Sequence, residues 1–254
     1  MPIETTERFT GRVESYRQYR PRYPETIVDL LQSECGLTED SVIADVAAGT
    51  GLLAEIFLAR GYDVIAIEPN EQMRAACSVL TEQFPKLRYV FGTAEATGLP
   101  AHSADLITVG QAMHWFDLER AREEFVRVLH PQGWCVIIYN NRRMGGDAIH
   151  EGYERLLREF GTDYAMVQGK HLAPEKIEEF FAPSEMRQAV FANAQLLTLE
   201  GLEGRILSSS YMPTSGHSLY AAMRAAIKDL FMKNEIDGCV RLEYECVVCY
   251  GQLR

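Results

Sequence analysis

The chain lacks three features that would each indicate a particular class of protein. It has no excess of basic residues, because 25 lysines and arginines stand against 36 aspartates and glutamates, a formal net charge of −11. Nucleic-acid binding requires a basic face, so this balance disfavours an RNA or DNA substrate. No apolar run approaches the roughly 20 residues that span a membrane, and Met1 to Arg8 lack a signal-peptide core. We therefore expect a cytoplasmic protein that binds neither nucleic acid nor membrane.

The six cysteines do not form the pattern of a disulfide framework. Most lie in apolar segments, which indicates reduced core residues. Cys246 and Cys249 are close in sequence, but residues three apart on a strand point to opposite faces. They cannot converge on one ion, so we expect no metal site.

The most informative stretch is Val42–Gly61. Its first part, Val42–Ala47, is short, apolar and β-branched, as expected of a strand buried on both faces. Gly49 and Gly51 then permit a sharp turn and the close approach of a ligand to the backbone. Apolar residues follow at helical spacing and end at a glycine. A strand, a glycine loop and a helix in this order open a nucleotide-binding βαβ unit.

The second strand narrows the ligand class. Asp63–Glu68 is another apolar run, and its final carboxylate lies about 20 residues after Asp45, where it can accept hydrogen bonds from a ribose diol. The spacing Gly49-x-Gly51-x-x-Ala54 also fits a dinucleotide fingerprint, so NAD and S-adenosylmethionine are both candidates. Asp45 favours S-adenosylmethionine, because a carboxylate beside the loop repels a pyrophosphate and suits a cationic cofactor.

Asp45-Val-Ala-Ala-Gly-Thr-Gly51, together with Glu68, resembles the first two motifs of class I S-adenosylmethionine-dependent methyltransferases. Ala47 stands where the family commonly has its first glycine, and it permits the same turn if its φ is negative. The segment Gln-Ala-Met-His-Trp-Phe at 111–116 is similar to that of the small-molecule branch, which contains the type 11 and trans-aconitate methyltransferases. The resemblance covers residues 40–140 and implies S-adenosylmethionine as the cofactor and a small-molecule acceptor.

The resemblance also implies which residues bind the cofactor. A Tyr/Arg-Pro-x-Tyr-Pro segment near the N-terminus covers the methionine end of the cofactor in similar members. Residues 93–95 resemble the turn that contacts adenine, although many members have Asp where Thr93 stands, so the contact that carries over is the backbone amide of Ala94. The predicted cofactor residues are Tyr16, Tyr19, Arg20, Asp45, Ala47, Gly49, Gly51, Glu68, Pro69, Met73, Ala94, Glu95 and Gln111.

The acceptor is expected beside the fourth strand, because ligands of open α/β sheets lie outside the carboxyl ends of the strands. His114, Trp115 and Phe116 follow that strand and are predicted to line the acceptor side. His114 could deprotonate a hydroxyl or an amine, or hold a carboxylate when it is protonated, and local packing is the alternative.

In the family, segments inserted after the fifth strand cover the acceptor. Side chains that could hold a carboxylate there are Arg142, Arg143, Ser209, Ser210 and Tyr211, of which we favour Arg142 and Tyr211. Ordinary surface positions are the alternative for each of these residues.

Together the patterns predict one α/β domain: a Rossmann-like seven-stranded mixed sheet with helices on both faces and a small helical lid inserted after the fifth strand. Its predicted parts are an arm and helix (1–35), a cofactor-binding core (36–141), a lid with the sixth strand (142–235) and the last strand (236–254). The predicted strands are Val42–Ala47, Asp63–Glu68, Leu87–Gly92, Ala104–Gly110, Cys135–Tyr139, 189–199 and Arg241–Tyr250. The predicted helices are Glu25–Glu34, 52–60, 70–83, Glu119–Leu129, 148–160, 174–182, Gly201–Ser208 and Leu219–Asn234.

The predicted reaction is direct in-line transfer of the methyl group of S-adenosylmethionine to a small molecule, for which a carboxylate is one candidate. A sulfonium is already a good leaving group, so alignment and the exclusion of water are sufficient and no catalytic triad is expected. A nicotinamide-dependent oxidoreductase and a non-catalytic S-adenosylmethionine-binding protein are the rival functions. The chain is expected to be a monomer or a homodimer.

Overall fold

A computed structural model describes residues 13–168 and 173–254, and its strands form one mixed sheet. The strands are β1 (Val42–Val46), β2 (Asp63–Ile67), β3 (Leu87–Val90), β4 (Ala104–Gly110), β5 (Leu129–Arg142), β6 (Arg187–Leu197) and β7 (Val240–Gly251). Their order across the sheet is β3-β2-β1-β4-β5-β7-β6. The first five strands pair in parallel, and β7 is antiparallel to both of its neighbours. The predicted seven-stranded mixed sheet is confirmed.

Helices connect most of the strands. They are α1 (Val13–Tyr19), α2 (Thr26–Cys35), α3 (Ala54–Leu58), α4 (Glu71–Gln83), α5 (Leu118–Val128), α6 (Ala148–Phe160), α7 (Tyr164–Gln168), α8 (Pro174–Phe181), α9 (Leu199–Leu207) and α10 (Tyr220–Asn234), with a 3-10 turn at Met113–Trp115. The sequence did not predict α1 or α7. Pro21 and Pro24 stop a helix from continuing, but they lie after α1 and leave its seven residues free to form one. The first 12 residues of the predicted arm lie outside the described residues.

Two hydrophobic cores cover the two faces of the sheet. On one face, Ile27 and Leu31 of α2 and Phe57 of α3 pack against the strands. On the other face, Phe125 of α5 and Phe181 of α8 do the same. Strands β1 and β2 are therefore buried on both sides, which explains why they read as nearly continuous apolar runs.

A third core lies over the first residues of β7, and the helices that follow β5 pack together there. Tyr153 of α6, Leu202 of α9 and Ile227 of α10 meet there with Leu242 and Tyr244 of β7. We call α6, α9 and α10 the helical layer. This layer is the helical part that the sequence predicted after the fifth strand.

Strand β5 is longer than predicted at both ends. Its pairing with β4 shifts register between Ala104 and Leu106, which accommodates the Pro-Gln-Gly segment that precedes the predicted strand. At the other end, Arg142 pairs with Tyr244 of β7, so a residue expected in the lid lies on the sheet. Pairing with β7 continues the strand beyond its apolar residues.

Cys246 and Cys249 of β7 belong to cores on opposite faces of the sheet, so the prediction that they point apart is confirmed. Within residues 13–168 and 173–254, His, Cys, Asp and Glu side chains do not group in threes as a metal ion would require. In the same residues, no helix combines the length and the apolar character needed to cross a membrane.

Candidate active site

The loop after β1 contains alternating residues in the left-handed conformation. Ala47, Gly49 and Gly51 have φ values of 56°, 57° and 82°. The condition that Ala47 has a negative φ is therefore not met, because the turn is left-handed at all three positions. Alanine pays a steric penalty there that glycine avoids. A Cβ built on Gly49 would meet nothing within 4 Å, so open space lies in front of the loop.

Replacing Ala47 with glycine is expected to stabilise the protein by about 0.5 to 1 kcal/mol, because it relieves the left-handed strain. Urea unfolding of the two proteins measures this difference. Ala48→Gly is the control, since Ala48 has no positive φ and should lose stability by about the same amount. Equal losses in both variants would show that the φ of Ala47 carries no strain.

Glu68 follows β2 directly and binds two backbone amides. Its Oε2 accepts a hydrogen bond from the amide of Gly49 at 2.9 Å, and Oε1 accepts one from the amide of Asn70 at 2.8 Å. The side chain is buried, and this desolvation raises the pKa of its carboxyl. Each carboxylate oxygen accepts more than one hydrogen bond, so the group retains acceptor capacity toward the space before the glycine loop.

Asp45 lies near the end of β1 and is fully buried. Its Oδ1 accepts a hydrogen bond of 2.9 Å from the hydroxyl of Thr108 on β4. Its Oδ2 makes no hydrogen bond of normal geometry to the described residues. Burial raises the pKa of Asp45 to about 7, against the lowering effect of Thr108 and of the backbone amide of Ala54, and nearby Glu68 raises it further.

The segment after Glu68 starts α4. Its N-cap is Asn70, whose side chain accepts a hydrogen bond of 2.9 Å from the amide of Met73. Arg74 donates to the carbonyls of Glu68 and Pro69, at 2.8 Å each. Met73 is buried under this turn. The predicted residues Pro69 and Met73 therefore lie next to Glu68, and their contact with a cofactor stays a prediction.

The predicted adenine turn is a closed turn held by reciprocal backbone hydrogen bonds between Thr93 and Ala96. Ala94 is fully buried within it. Glu95 accepts a hydrogen bond of 2.9 Å from the amide of Asp117, which ties the turn to the start of α5. Recognition of adenine by Ala94 and Glu95 stays a prediction.

Gln111 follows β4 directly in a left-handed conformation, with a φ of 57°. Its amide donates to the carbonyl of Ile138, and its side-chain Nε2 donates to the carbonyl of Asn140 at 3.1 Å. A non-glycine residue in this region is strained, and such strain is common at ligand sites. The chain next turns through the 3-10 segment that contains His114 and Trp115.

A cavity of about 720 Å³ lies at the carboxyl ends of β4 and β5, between the arm and the helical layer. Predicted site residues that line it are Tyr16, Arg20, Gln111, His114, Trp115, Arg142, Ser210 and Tyr211. Phe116 is not among the lining residues, and its ring meets that of Phe125 edge-on with centroids 6.4 Å apart. The expectation that Phe116 lines the acceptor side has no support in this cavity, because the ring packs into the core.

The arm is held over the cavity through its backbone. Asn193 donates a hydrogen bond of 2.7 Å to the carbonyl of Arg22, and Gln195 donates one of 3.0 Å to the carbonyl of Tyr19. The ring of Tyr19 packs on Gly204 of α9, and its hydroxyl donates to Glu200 rather than lining the cavity. Tyr19 therefore fastens the arm, and a direct contact with the cofactor has no support in this arrangement.

Two of the predicted carboxylate-binding arginines already have acidic partners. Arg142 forms an ion pair of 2.6 Å with Glu154 on α6. Arg143 pairs with Glu243 at 2.8 Å. Each carboxylate is shared with a second arginine, Arg158 for Glu154 and Arg241 for Glu243. Both guanidiniums are nevertheless already bound to a carboxylate, so neither is the best candidate for a ligand carboxylate.

Arg205 lines the cavity from α9 and was not predicted. The sequence gives one weak indication that Arg205 faces inward. It follows the fully buried Leu202 by three residues, so both lie on the same face of the helix. Tyr139 and Tyr153, also missed, line the cavity with hydroxyls that are buried and have no hydrogen-bond partner among the described residues.

Comparison with known proteins gives a consistent result. The family model described as "Methyltransferase domain" matches residues 44–137. An uncharacterized methyltransferase of Mycobacterium tuberculosis is 33% identical over 208 residues, which cover 82% of this chain and 78% of that protein. An uncharacterized methyltransferase of Schizosaccharomyces pombe is 30% identical over 205 residues, which cover 79% of this chain and 77% of that protein.

Solved structures agree in fold. A protein described as a type II methyltransferase from Anaeromyxobacter dehalogenans superposes with a TM-score of 0.68 at 22% identity, covering 92% of this chain and 98% of that chain. Geranyl diphosphate C-methyltransferase from Streptomyces coelicolor, solved with S-adenosylhomocysteine, gives a TM-score of 0.52 at 12% identity, covering 90% of this chain and 77% of that chain.

Proposed function

Because this chain belongs to the class I S-adenosylmethionine-dependent methyltransferases, we propose that it methylates a small-molecule acceptor that carries a carboxylate. The observation that carries this proposal is the cavity at the carboxyl ends of β4 and β5, which is about 720 Å³ and contains His114 and Trp115 together with a buried arginine, Arg205. Cavities of this size accept small ligands, and positive groups inside them favour anions.

The residues of the first loop fit the proposed cofactor. Glu68 stands beside open space at the tip of β2, where its oxygens can accept the two hydroxyls of a ribose. Asp45, behind the same loop, provides a negative charge for the cationic end of the cofactor. Arg20 and Tyr16 line the cavity from the arm, on the side expected for the methionine carboxylate.

When bound, S-adenosylmethionine supplies an activated methyl group. The protein aligns the acceptor with that group and excludes water, and these two effects provide most of the rate gain for such a transfer. The arm and the helical layer enclose the cavity for this purpose. Trp115 offers an aromatic face that favours a nearby cation.

The role of His114 depends on the attacked atom. A carboxylate oxygen is already anionic and needs no base, whereas a hydroxyl or an amine needs one, and His114 is the candidate in the cavity. The pH profile of the transfer distinguishes these cases, since a histidine that must lose its proton to act as a base gives a rate that rises with pH.

Calorimetry with S-adenosylmethionine and with NAD tests the cofactor. We expect binding of S-adenosylmethionine and much weaker binding of NAD, and the reverse order would favour an oxidoreductase. Incubation with S-adenosylmethionine and a panel of small carboxylic acids then tests the reaction by the formation of S-adenosylhomocysteine and a methylated product. Cofactor binding without turnover of any small molecule would favour a non-catalytic binding protein.

Asp45→Asn is expected to flatten the pH dependence of stability. In the folded protein without cofactor the carboxyl has a pKa of about 7, and in the unfolded chain its pKa is near the ordinary value. Its contribution to stability is therefore complete below about pH 4 and is lost as the pH rises through 7. Urea unfolding at pH 5 and pH 8 should show a larger loss for the wild type than for the variant.

The same substitution should flatten the pH dependence of cofactor affinity. A cationic cofactor favours the ionised form of Asp45, so affinity in the wild type should rise from pH 6 to pH 8, through the pKa of about 7. The variant should show a smaller rise. Parallel profiles in the two proteins would remove Asp45 from the cofactor site.

A further inference from the structure

Two guanidinium groups, the half-buried Arg20 and the buried Arg205, line the cavity without acidic partners among the described residues. Arg20 donates to the carbonyl of Ser208 at 3.0 Å, and its Nε has no hydrogen-bond partner within the described ranges. Arg205 is 7% exposed and donates to the hydroxyls of Tyr244 at 3.2 Å and Ser209 at 3.5 Å. Among residues 13–168 and 173–254, neither lies within salt-bridge distance of a carboxylate. A charge that is removed from water without a counter-ion raises the free energy of the folded protein. Binding of an anionic ligand by Arg20 and Arg205 would offset this cost.

The two charges also affect each other. Burial lowers the pKa of Arg20, and the nearby charge of Arg205 lowers it further. Arginine nevertheless stays protonated in proteins, so the repulsion cannot be relieved by losing a proton. Arg142, in contrast, is paired with Glu154 at 2.6 Å, a carboxylate that it shares with the exposed Arg158.

A neutral donor lies in the same cluster. Tyr153 lines the cavity and is 1% exposed, and its buried hydroxyl has no hydrogen-bond partner among the described residues. The ring is close enough to Arg205 for the two groups to interact electrostatically. A buried hydroxyl without a partner inside the protein is a group to which a ligand can bind.

The two arginines reach the cavity from different elements, Arg20 from the arm and Arg205 from α9, although both lie close to the end of α9. The glycine loop and Glu68 lie at the ends of β1 and β2, on one side of β4 and β5. Arg205 is connected to the other side, because Tyr244 of β7 accepts its hydrogen bond and donates one of 2.7 Å to Gln195 of β6. Arg20 comes from the arm. The cofactor has a carboxylate of its own, so the cavity must accommodate two anionic groups.

We propose that Arg205 and the hydroxyl of Tyr153 bind the carboxylate of the acceptor, while Arg20 takes the carboxylate of the cofactor. This assignment rests on the proposed function and deepens it, because it makes Arg205 the residue that selects acidic acceptors. A planar guanidinium forms paired hydrogen bonds with a carboxylate, and the phenol adds a third.

Calorimetry on the protein saturated with S-adenosylhomocysteine tests the assignment. The probes are succinate and benzoate, with succinamide and benzamide as neutral isosteres. We expect each acid to bind at least about tenfold more tightly than its amide. Arg205→Gln should weaken the acids by about tenfold to a hundredfold and leave the amides unchanged. Arg88→Gln, which removes an exposed arginine on β3, should change nothing.

Tyr153→Phe keeps the proposal testable if Arg205→Gln does not fold. The lost hydroxyl has no partner in the described protein, so the variant should be as stable as the wild type and bind the acids about threefold to tenfold more weakly. Acids that bind no better than amides, or acid binding unchanged in both variants, would overturn the proposal. So would an Arg205→Gln variant that loses affinity for S-adenosylhomocysteine instead. The proposed function fails separately, if acids bind but no acceptor is methylated.

Discussion

Replacing Glu68 with alanine is expected to weaken the binding of S-adenosylmethionine about a hundredfold or more. Each hydrogen bond to a charged group contributes about 1.5 to 3 kcal/mol, and a ribose diol forms two with one carboxylate. The same oxygens also accept hydrogen bonds from the amides of Gly49 and Asn70. Their loss should loosen the glycine loop, so the variant should lose stability as well as affinity. Calorimetric titration and urea unfolding measure the two effects.

Two further variants separate binding from folding. Glu68→Gln keeps one oxygen and the shape of the side chain, so its affinity should lie between those of the wild type and Glu68→Ala. Glu71→Gln removes an exposed carboxylate from the first turn of α4 and should leave affinity unchanged. A Glu68→Ala protein that is folded and binds the cofactor normally would contradict the ribose assignment.

Gly204→Ala is expected to release the arm from the helical layer. A Cβ on Gly204 would overlap the ring of Tyr19, while helix α9 itself would accept alanine readily. Overpacking of this kind costs about 1 to 3 kcal/mol. Since Arg20 and Tyr16 of the arm line the cavity, affinity for the cofactor should fall by about tenfold or more. Trypsin cleavage after Arg17 should become faster.

Gly201→Ala is the matched control on the same helix. Its Cβ would meet Leu197 at 3.3 Å, at the flexible end of that side chain, so alanine fits after a small adjustment. This variant should be slightly more stable than the wild type, by about 0.5 to 1 kcal/mol, and should bind the cofactor equally well. If both variants resist trypsin to the same degree, the contact between Tyr19 and Gly204 does not hold the arm.

The cofactor-binding half of the fold could be predicted because its signals are local. Buried parallel strands produce short apolar runs, and the run that contains Asp45 was placed within one residue of β1. Ala47 shows the limit of this approach. The sequence indicated a turn, but whether the turn needs a left-handed φ depends on where the chain must go next, and this is set by the pairing of β1 with its neighbours.

The acceptor half could be predicted only in part because its contacts are distant in sequence. Arg142 and Arg205 are both arginines near apolar segments, and the sequence favoured Arg142. Its ion pair with Glu154 of α6 forms across the segment that follows β5, and no local pattern encodes it. Phe116 likewise lies next to His114 and Trp115 in sequence, but its ring turns away from them toward Phe125.

The fastening of the arm has a consequence for how such a protein can diversify. Asn193 and Gln195 hold the carbonyl oxygens of Arg22 and Tyr19, groups that every amino acid possesses. Exchanging side chains other than that of Tyr19 along this segment therefore leaves these hydrogen bonds intact. Related proteins could therefore carry other residues at positions 16 and 20, bind a different ligand, and still keep the arm over the cavity.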